Sequence, residues 1–239
     1  MTFVPRRANA EVRVRLRREA DDSSAIGAGA CAVVIDVLRA TTSLTIARLN
    51  GAREVLAFAT PDEALAARSR ADDVLACGER DGRIVPGFDL GNSPSEYTPE
   101  RVAGKRLAFA STNGSHALLV ARRAHRRVLA AFVNLAAVVE SLAGESEIVI
   151  VCAGKLGDFC LEDAACAGLL CRRLADRGAR VQGAEARCAQ ALAPRDLREV
   201  RVAVEGSSHG RALRALGEPF ARDVALCSEL DSVDRAFDV

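Results

Sequence analysis

Residues 31–43 read CAVVIDVLRATTS. The first five are apolar without a break, a pattern that suits a strand buried on both faces of a mainly parallel sheet better than one with a wet face. The run then meets a carboxylate, Asp36, and passes through Arg39 into a helical stretch over 39–50 that Gly51 closes. The same alternation recurs along the chain. Strands are predicted at 11–17, 31–36, 53–59, 73–77, 105–110, 127–132 and 147–152, with helical sequence between most of them. Only the first alternates polar and apolar residues, which places it at a sheet edge. This βα rhythm predicts a three-layer α/β/α architecture with right-handed crossovers.

Helix punctuation supports that reading. Thr60, Pro61 and Glu63 supply an N-cap, a first-turn proline and a capping-box acid, Thr98 and Pro99 open a short turn that Gly104 closes, and 159–176 is a long helix ended by Gly178. After Gly178 the sequence is largely helical, with breaks at Pro194 and near Gly206, before a last predicted strand at 223–227. The expected organisation is an α/β half over 1–145 and a second α/β half or helical lobe over 146–239, packed as one compact unit.

Composition narrows the function. With 239 residues, 49% of them hydrophobic, the chain can bury a substantial core. Its apolar runs are too short to span a bilayer and its N-terminus lacks the apolar segment of a signal peptide, so a cytoplasmic location is expected. The eight cysteines form no CxxC pair and read as reduced core residues. A net charge of +1, with one Tyr and no Trp, offers nucleic acid neither a field nor a stacking surface. GAGACA at 27–32 precedes a strand instead of following one, which makes it a poor dinucleotide fingerprint, and no GxxxxGK[ST] loop is present.

Ligands of open α/β sheets bind beyond the carboxyl ends of the strands. The residues that follow the predicted strands are Asp36 and Arg39; Gly78, Glu79 and Arg80; Ser111, Thr112, Asn113 and Gly114; Asn134; and Gly154, Lys155 and Gly157. Carboxylates, cations, hydroxyls and glycines gathered at one edge predict a phosphate site with a metal. Asp36, Glu79 and Asp163 are hard oxygen donors suited to Mg²⁺. Arg39, Arg80 and Arg83 can grip oxyanions. Acids at a helix start, such as Glu162 and Asp163, also serve the helix dipole, and His209 in SSHGR also suits a cap or a packing role. The long Gly-, Pro- and charge-rich stretch CGERDGRIVPGFDLGNSPSEY, 77–97, enters this edge through Glu79 and Arg80, with Asp89 and Asn92 shaping the loop. VIDVLRATTS invites comparison with aspartyl-phosphate phosphatases, but Leu38 stands where their second acid falls.

Taken together, VVIDVLRATTS, the 77–97 stretch, STNGS, the isolated Asn134, VCAGKLGDFCLEDAACAG, SSHGRAL and ALCSELD resemble the 2-phosphosulfolactate phosphatase family, in family order from residue 31 to residue 231. The resemblance implies a Mg²⁺-dependent hydrolase that converts (2R)-2-phospho-3-sulfolactate to 3-sulfolactate and phosphate, a step towards coenzyme M, and self-association as a homodimer. On this reading Asp36, Arg39, Glu79 and Arg80 are catalytic, Asp36, Glu79 and Asp163 hold Mg²⁺, and Ser111, Thr112, Asn113, Gly114, Asn134, Gly154, Lys155 and His209 bind the small anionic substrate. Attack on phosphorus comes from metal-activated water or from Asp36. Another small phosphorylated hydroxy acid as substrate, or a non-catalytic anion-binding module, stays open at this point.

Overall fold

A computed structural model describes residues 10–16 and 26–239. The predicted extension of the first strand to Arg17, and most of the N-terminal segment, lie outside the described residues. The strands are β1 (Glu11–Arg15), β2 (Cys31–Ile35), β3 (Glu54–Ala57), β4 (Val74–Arg80), β5 (Arg83–Ile84), β6 (Arg106–Ala110), β7 (Arg126–Ala130), β8 (Glu147–Cys152), β9 (Arg180–Val181) and β10 (Phe237–Asp238). The helices are α1 (Ala40–Leu49), α2 (Pro61–Arg68), α3 (Pro99–Val102), α4 (Gly114–Val120), α5 (Leu135–Ser141), α6 (Leu161–Asp176), α7 (Ala184–Ala191), α8 (Leu197–Glu205), α9 (Ser208–Ala215) and α10 (Phe220–Cys227). The architecture is α/β with mainly parallel sheets and a run of helices near the C-terminus, as the βα rhythm predicts. No helix among the described residues is long and apolar enough to cross a membrane.

The strands divide between two sheets. The larger runs β10-β7-β2-β8-β1-β9 and the smaller β3-β6-β4-β5. Every pairing is parallel except the terminal β10 on β7 and the β4–β5 hairpin. Side-chain alternation sets the layers. Val33 and Ile35 of β2 face the core shared with α5, α6, α7 and α8, whereas Ala32 and Val34 face the core that holds α1, α4 and the small sheet's Leu107 and Phe109. On the far side of that small sheet, Ala108 and Ala110 meet Ala64 of α2. Strand β2 is fully buried, as its unbroken apolar run requires.

Local signals place several elements where the sequence puts them. Thr60 accepts the Glu63 N–H and the Glu63 carboxylate takes the Thr60 N–H, so α2 begins on a complete capping box. Gly51, Gly104 and Gly178 all have positive φ at the ends of their helices. The 77–97 stretch is ordered by its own polar groups. Asp89 accepts both Arg68 N–H bonds and the Ala76 N–H, Glu96 accepts the Gly91 N–H, and the buried Tyr97 hydroxyl donates to the Gly91 carbonyl at 2.7 Å.

Three expectations change. Strand β1 lies between β8 and the two-residue β9, so it is not the edge. Strand β4 runs on through Glu79 and Arg80, which therefore sit inside the strand and pair with β5. The segment 223–227 belongs to α10, where buried Asp223, Val224 and Cys227 share one helical face.

Candidate active site

Turns at the carboxyl ends of strands from both sheets enclose one cavity of about 270 Å³. The turn after β2 supplies Asp36 and Arg39, the β4–β5 hairpin Glu79 and Gly82, the turn after β6 Thr112 and Asn113, and the turn after β8 Lys155 and Leu156. Asp81 of the hairpin, Asn92 from the long loop and His209 with Leu213 from α9 add to the lining.

Asp36 is held by the geometry of the β2–α1 turn. The Thr41 hydroxyl donates to the Ala130 carbonyl at 2.7 Å and accepts the Asp36 N–H at 2.9 Å, and the Ala40 N–H donates to Asp36 Oδ1 at 3.2 Å. Asp36 Oδ2 takes no donor among the described residues. The carboxyl is 6% exposed, and burial pushes its pKa up to about 6, with His209 and the Ala40 N–H pulling down and Glu79 and Glu162 pushing further up. Gly114 lets α4 approach this close: a Cβ there would stand 2.7 Å from Asp36 Oδ2 and 2.4 Å from the Ala40 Cβ.

Glu79 lines the same cavity and also braces its wall. Its Oε1 accepts the Thr112 N–H at 2.8 Å and its Oε2 the Gly82 N–H at 2.8 Å, so one carboxylate links the hairpin to the turn after β6. Arg39 is committed as well. It donates to Asp223 at 2.6 Å and to the Gly82 carbonyl at 2.7 Å, lies over the Phe220 ring, and is 4% exposed. Lys155 is the cavity-lining cation without an ion pair among the described residues.

Some expected site residues are not brought to the cavity. Arg80 donates to the Glu79 and Ala59 carbonyls. Ser111 exchanges hydrogen bonds with Ser115, and Gly114 packs beneath Asp36. Asn134 is fully buried, accepting the Ala131 N–H and donating to the Leu129 carbonyl, so it closes the end of β7. Asp163 accepts the Val37 N–H at 2.9 Å and the Gly154 N–H at 3.0 Å, which locks the ends of β2 and β8 together. Burial, then the Asp36 and Glu162 charges, push its carboxyl well above the ordinary range. A strand-end residue is therefore as often spent on fixing the turn as on facing the ligand.

Three groups matter more than the sequence indicates. Asn92 lines the cavity, and its buried Oδ1 has no hydrogen-bond partner among the described residues, which leaves a hard oxygen for a cation. Asp36 and Asn92 are thus the oxygen donors that could hold Mg²⁺, which takes one or two carboxylates and keeps several waters. Glu162, 1% exposed, lies 3.3 Å from His209 Nδ1. Cys160 joins these two in the trio of potential ligands within 4.8 Å of one another. Burial and the neighbouring carboxylates push its thiol far up, so it is held protonated and lacks the thiolate a soft-metal centre uses. The signal for Glu162 is present in the sequence, because the helix-start pair Glu162–Asp163 is separated from its strand by only a short loop. His209 is also named by the sequence, but its pairing with Glu162 joins remote segments and is not readable from one sequence.

Comparison with known proteins is consistent with this geometry. The profile of a family described as 2-phosphosulpholactate phosphatase matches residues 17–237. A protein of Synechococcus sp. (strain JA-3-3Ab) named probable 2-phosphosulfolactate phosphatase is 43% identical over 210 residues, covering 86% of each chain. One of the same name from Thermotoga petrophila is 41% identical over 202 residues, covering 84% of this chain and 85% of the relative.

Proposed function

We infer, from the premise that the chain belongs to the 2-phosphosulpholactate phosphatase family, that it hydrolyses (2R)-2-phospho-3-sulfolactate to (2R)-3-sulfolactate and phosphate in the cavity around Asp36. The observation that carries this reading is the Asp36 carboxylate, buried at the cavity floor with one oxygen that takes no donor among the described residues. An isolated buried carboxylate is costly unless a cation or a reaction uses it. Asp36, Glu79 and Asp81 line a cavity whose unpaired cation among the described residues is Lys155, so a substrate with three anionic groups would meet net negative charge there without a metal.

Mg²⁺ held by Asp36 and Asn92, when bound, would draw charge from the phosphoryl oxygens and offset that repulsion. The chain's own groups do the rest. Lys155 faces the sulfonate or carboxylate, Glu79 holds the hairpin against the Thr112 turn, and Leu213 adds an apolar wall. The attacking oxygen is that of water or of Asp36 itself, and oxygen-18 from the solvent appearing in Asp36 after one turnover separates the two. Phosphate monoesters demand acceleration of up to ~10²¹-fold, so loss of one element of this charge array should be severe.

The test is phosphate release from 2-phosphosulfolactate with and without Mg²⁺, comparing the wild type with Asp36→Asn. Release that needs the metal and is lost in the variant is expected; near-normal activity of the variant would remove Asp36 from the site. A second reading rests on the commitment of Arg39 to Asp223, which leaves Lys155 as the cavity's unpaired cation: the substrate is then a phosphorylated hydroxy acid without the sulfonate. Equal kcat/KM for 2-phospholactate and 2-phosphosulfolactate would favour it. A pure protein inert towards every small monoester would restore the anion-binding module.

A further inference from the structure

The imidazole of His209 is fixed more firmly than a surface histidine needs to be. Ser207 caps α9, its hydroxyl accepting the Gly210 N–H at 2.9 Å and lying 2.9 Å from the Val204 carbonyl. Gly210 cannot carry a side chain, because a Cβ would stand 2.0 Å from the Val204 carbonyl oxygen. The histidine between these two residues is thereby aimed at the cavity with its Nδ1 3.3 Å from Glu162 Oε1.

Glu162 is an unusual partner. It is 1% exposed, and its second oxygen has no hydrogen-bond partner among the described residues. Burial alone would raise its pKa, yet the adjacent His209 holds it below the ordinary value. A buried carboxylate against Nδ1 fixes the orientation of the ring and which nitrogen faces it, and leaves Nε2 to the cavity.

We propose that His209 is the general acid that protonates the leaving oxygen of the phosphate ester, and that Glu162 is its positioning residue. The proposal rests on the phosphatase reading above. The leaving group of a 2-phospho-hydroxy acid is a secondary alkoxide, far too basic to depart unaided, and a positioned acid is worth ~10²–10⁴-fold for such a bond. As the bond between phosphorus and the C2 oxygen breaks, its electron pair moves to that oxygen and Nε2 gives it the proton. The new bond to phosphorus comes from the oxygen of water or of Asp36. The proton that the attacking water gives up passes to solvent, in the first case as it attacks phosphorus and in the second as it hydrolyses the acyl phosphate, and solvent reprotonates the imidazole. The products are the free hydroxy acid and phosphate, with His209 reset.

Leaving-group chemistry tests this without relying on any variant. For the wild-type protein with Mg²⁺, kcat/KM across alkyl, phenyl and nitrophenyl phosphates should depend only weakly on the acidity of the leaving alcohol, because the acid compensates for basic leaving groups. A steep dependence would overturn the proposal while leaving the phosphatase reading intact. His209→Asn should lose ~10²–10⁴-fold on the alkyl ester and less than about 10-fold on nitrophenyl phosphate, whose anion departs without a proton. Glu162→Gln should show the same selective loss to a smaller degree, and equal losses on both esters in the two variants would assign the pair to structure alone. Absence of hydrolysis of every monoester by the wild type would instead overturn the phosphatase reading, and this step with it.

Discussion

Arg39 donates to the Asp223 carboxylate at 2.6 Å with both side chains buried, which ties the turn after β2 to the last helix. Asp223 also takes the Ser93 hydroxyl, so the long 77–97 loop is joined to the same pair. An arginine that the sequence assigns to the substrate is here one corner of the cavity wall.

Removing one partner of this pair should leave a buried charge alone. Asp223→Ala is expected to lower the unfolding free energy by about 3–5 kcal/mol, read by urea titration. A double change to Arg39→Met and Asp223→Leu should recover part of that loss, because no unpaired charge remains. A single-variant effect under about 1 kcal/mol would mean the pair is solvated in solution.

The proton affinity of Asp36 gives a pH signature. Its pKa is raised from 3.8 to about 6 chiefly by burial, so the folded state binds this proton more tightly than the unfolded chain. The group therefore contributes most stability below its ordinary range, and that contribution is lost as pH rises towards and through about 6. In metal-free protein Asp36→Asn should be more stable than the wild type at neutral pH by on the order of 1–3 kcal/mol, while phosphate release falls by at least ~10²-fold. Adding Mg²⁺ to the wild type should release protons in the same pH window and narrow the stability gap. Denaturation curves in chelator and in Mg²⁺ check both.

Gly114→Ala should harm catalysis more than folding. The added methyl would meet the Ala40 Cβ and Asp36 Oδ2 and push α4 away from the cavity floor. We expect a loss of about 1–3 kcal/mol in stability, typical of overpacking, and a fall in kcat well beyond what a slightly less folded population explains. Circular dichroism melts beside steady-state kinetics separate the two.

All eight cysteines are unpaired, and Cys188 is the exposed one. A thiol reagent should label one equivalent rapidly in the native protein and the remaining seven only after denaturant is added. Fast labelling of more than one would place a second thiol at the surface.

The fold was legible where the signal is local. The unbroken apolar run of β2, the Thr60 capping box and the glycines after the helices are readable because each depends on neighbours within a few residues. Strand order was not, since nothing local in β4 or β6 says that they leave the larger sheet and build a second one against α1 and α4. DVALC misleads for a related reason: five residues are too few to separate strand from helix period, and only Phe220 upstream reveals the turn-wise spacing. In the site, chain position found the strand ends but could not say which way each side chain turns. Asp36 and Lys155 face the cavity, while Asn134 and Asp163 turn back to satisfy backbone N–H groups and carbonyls. Asn92 and Glu162 were readable as loop and helix-start residues, and their orphaned oxygens emerge only when remote segments meet.

The cavity draws Asp36 and Lys155 from turns of the larger sheet, Glu79 and Thr112 from the smaller, and His209 from α9, which follows every strand of both except β10. No contiguous fragment of the chain contains a working set. A nascent chain leaving the ribosome can therefore complete β2, the small sheet and β8 in turn without acquiring any chemistry until α9 is made. The cavity is thus closed only when most of the chain has been made, and a partly synthesised molecule lacks part of its lining.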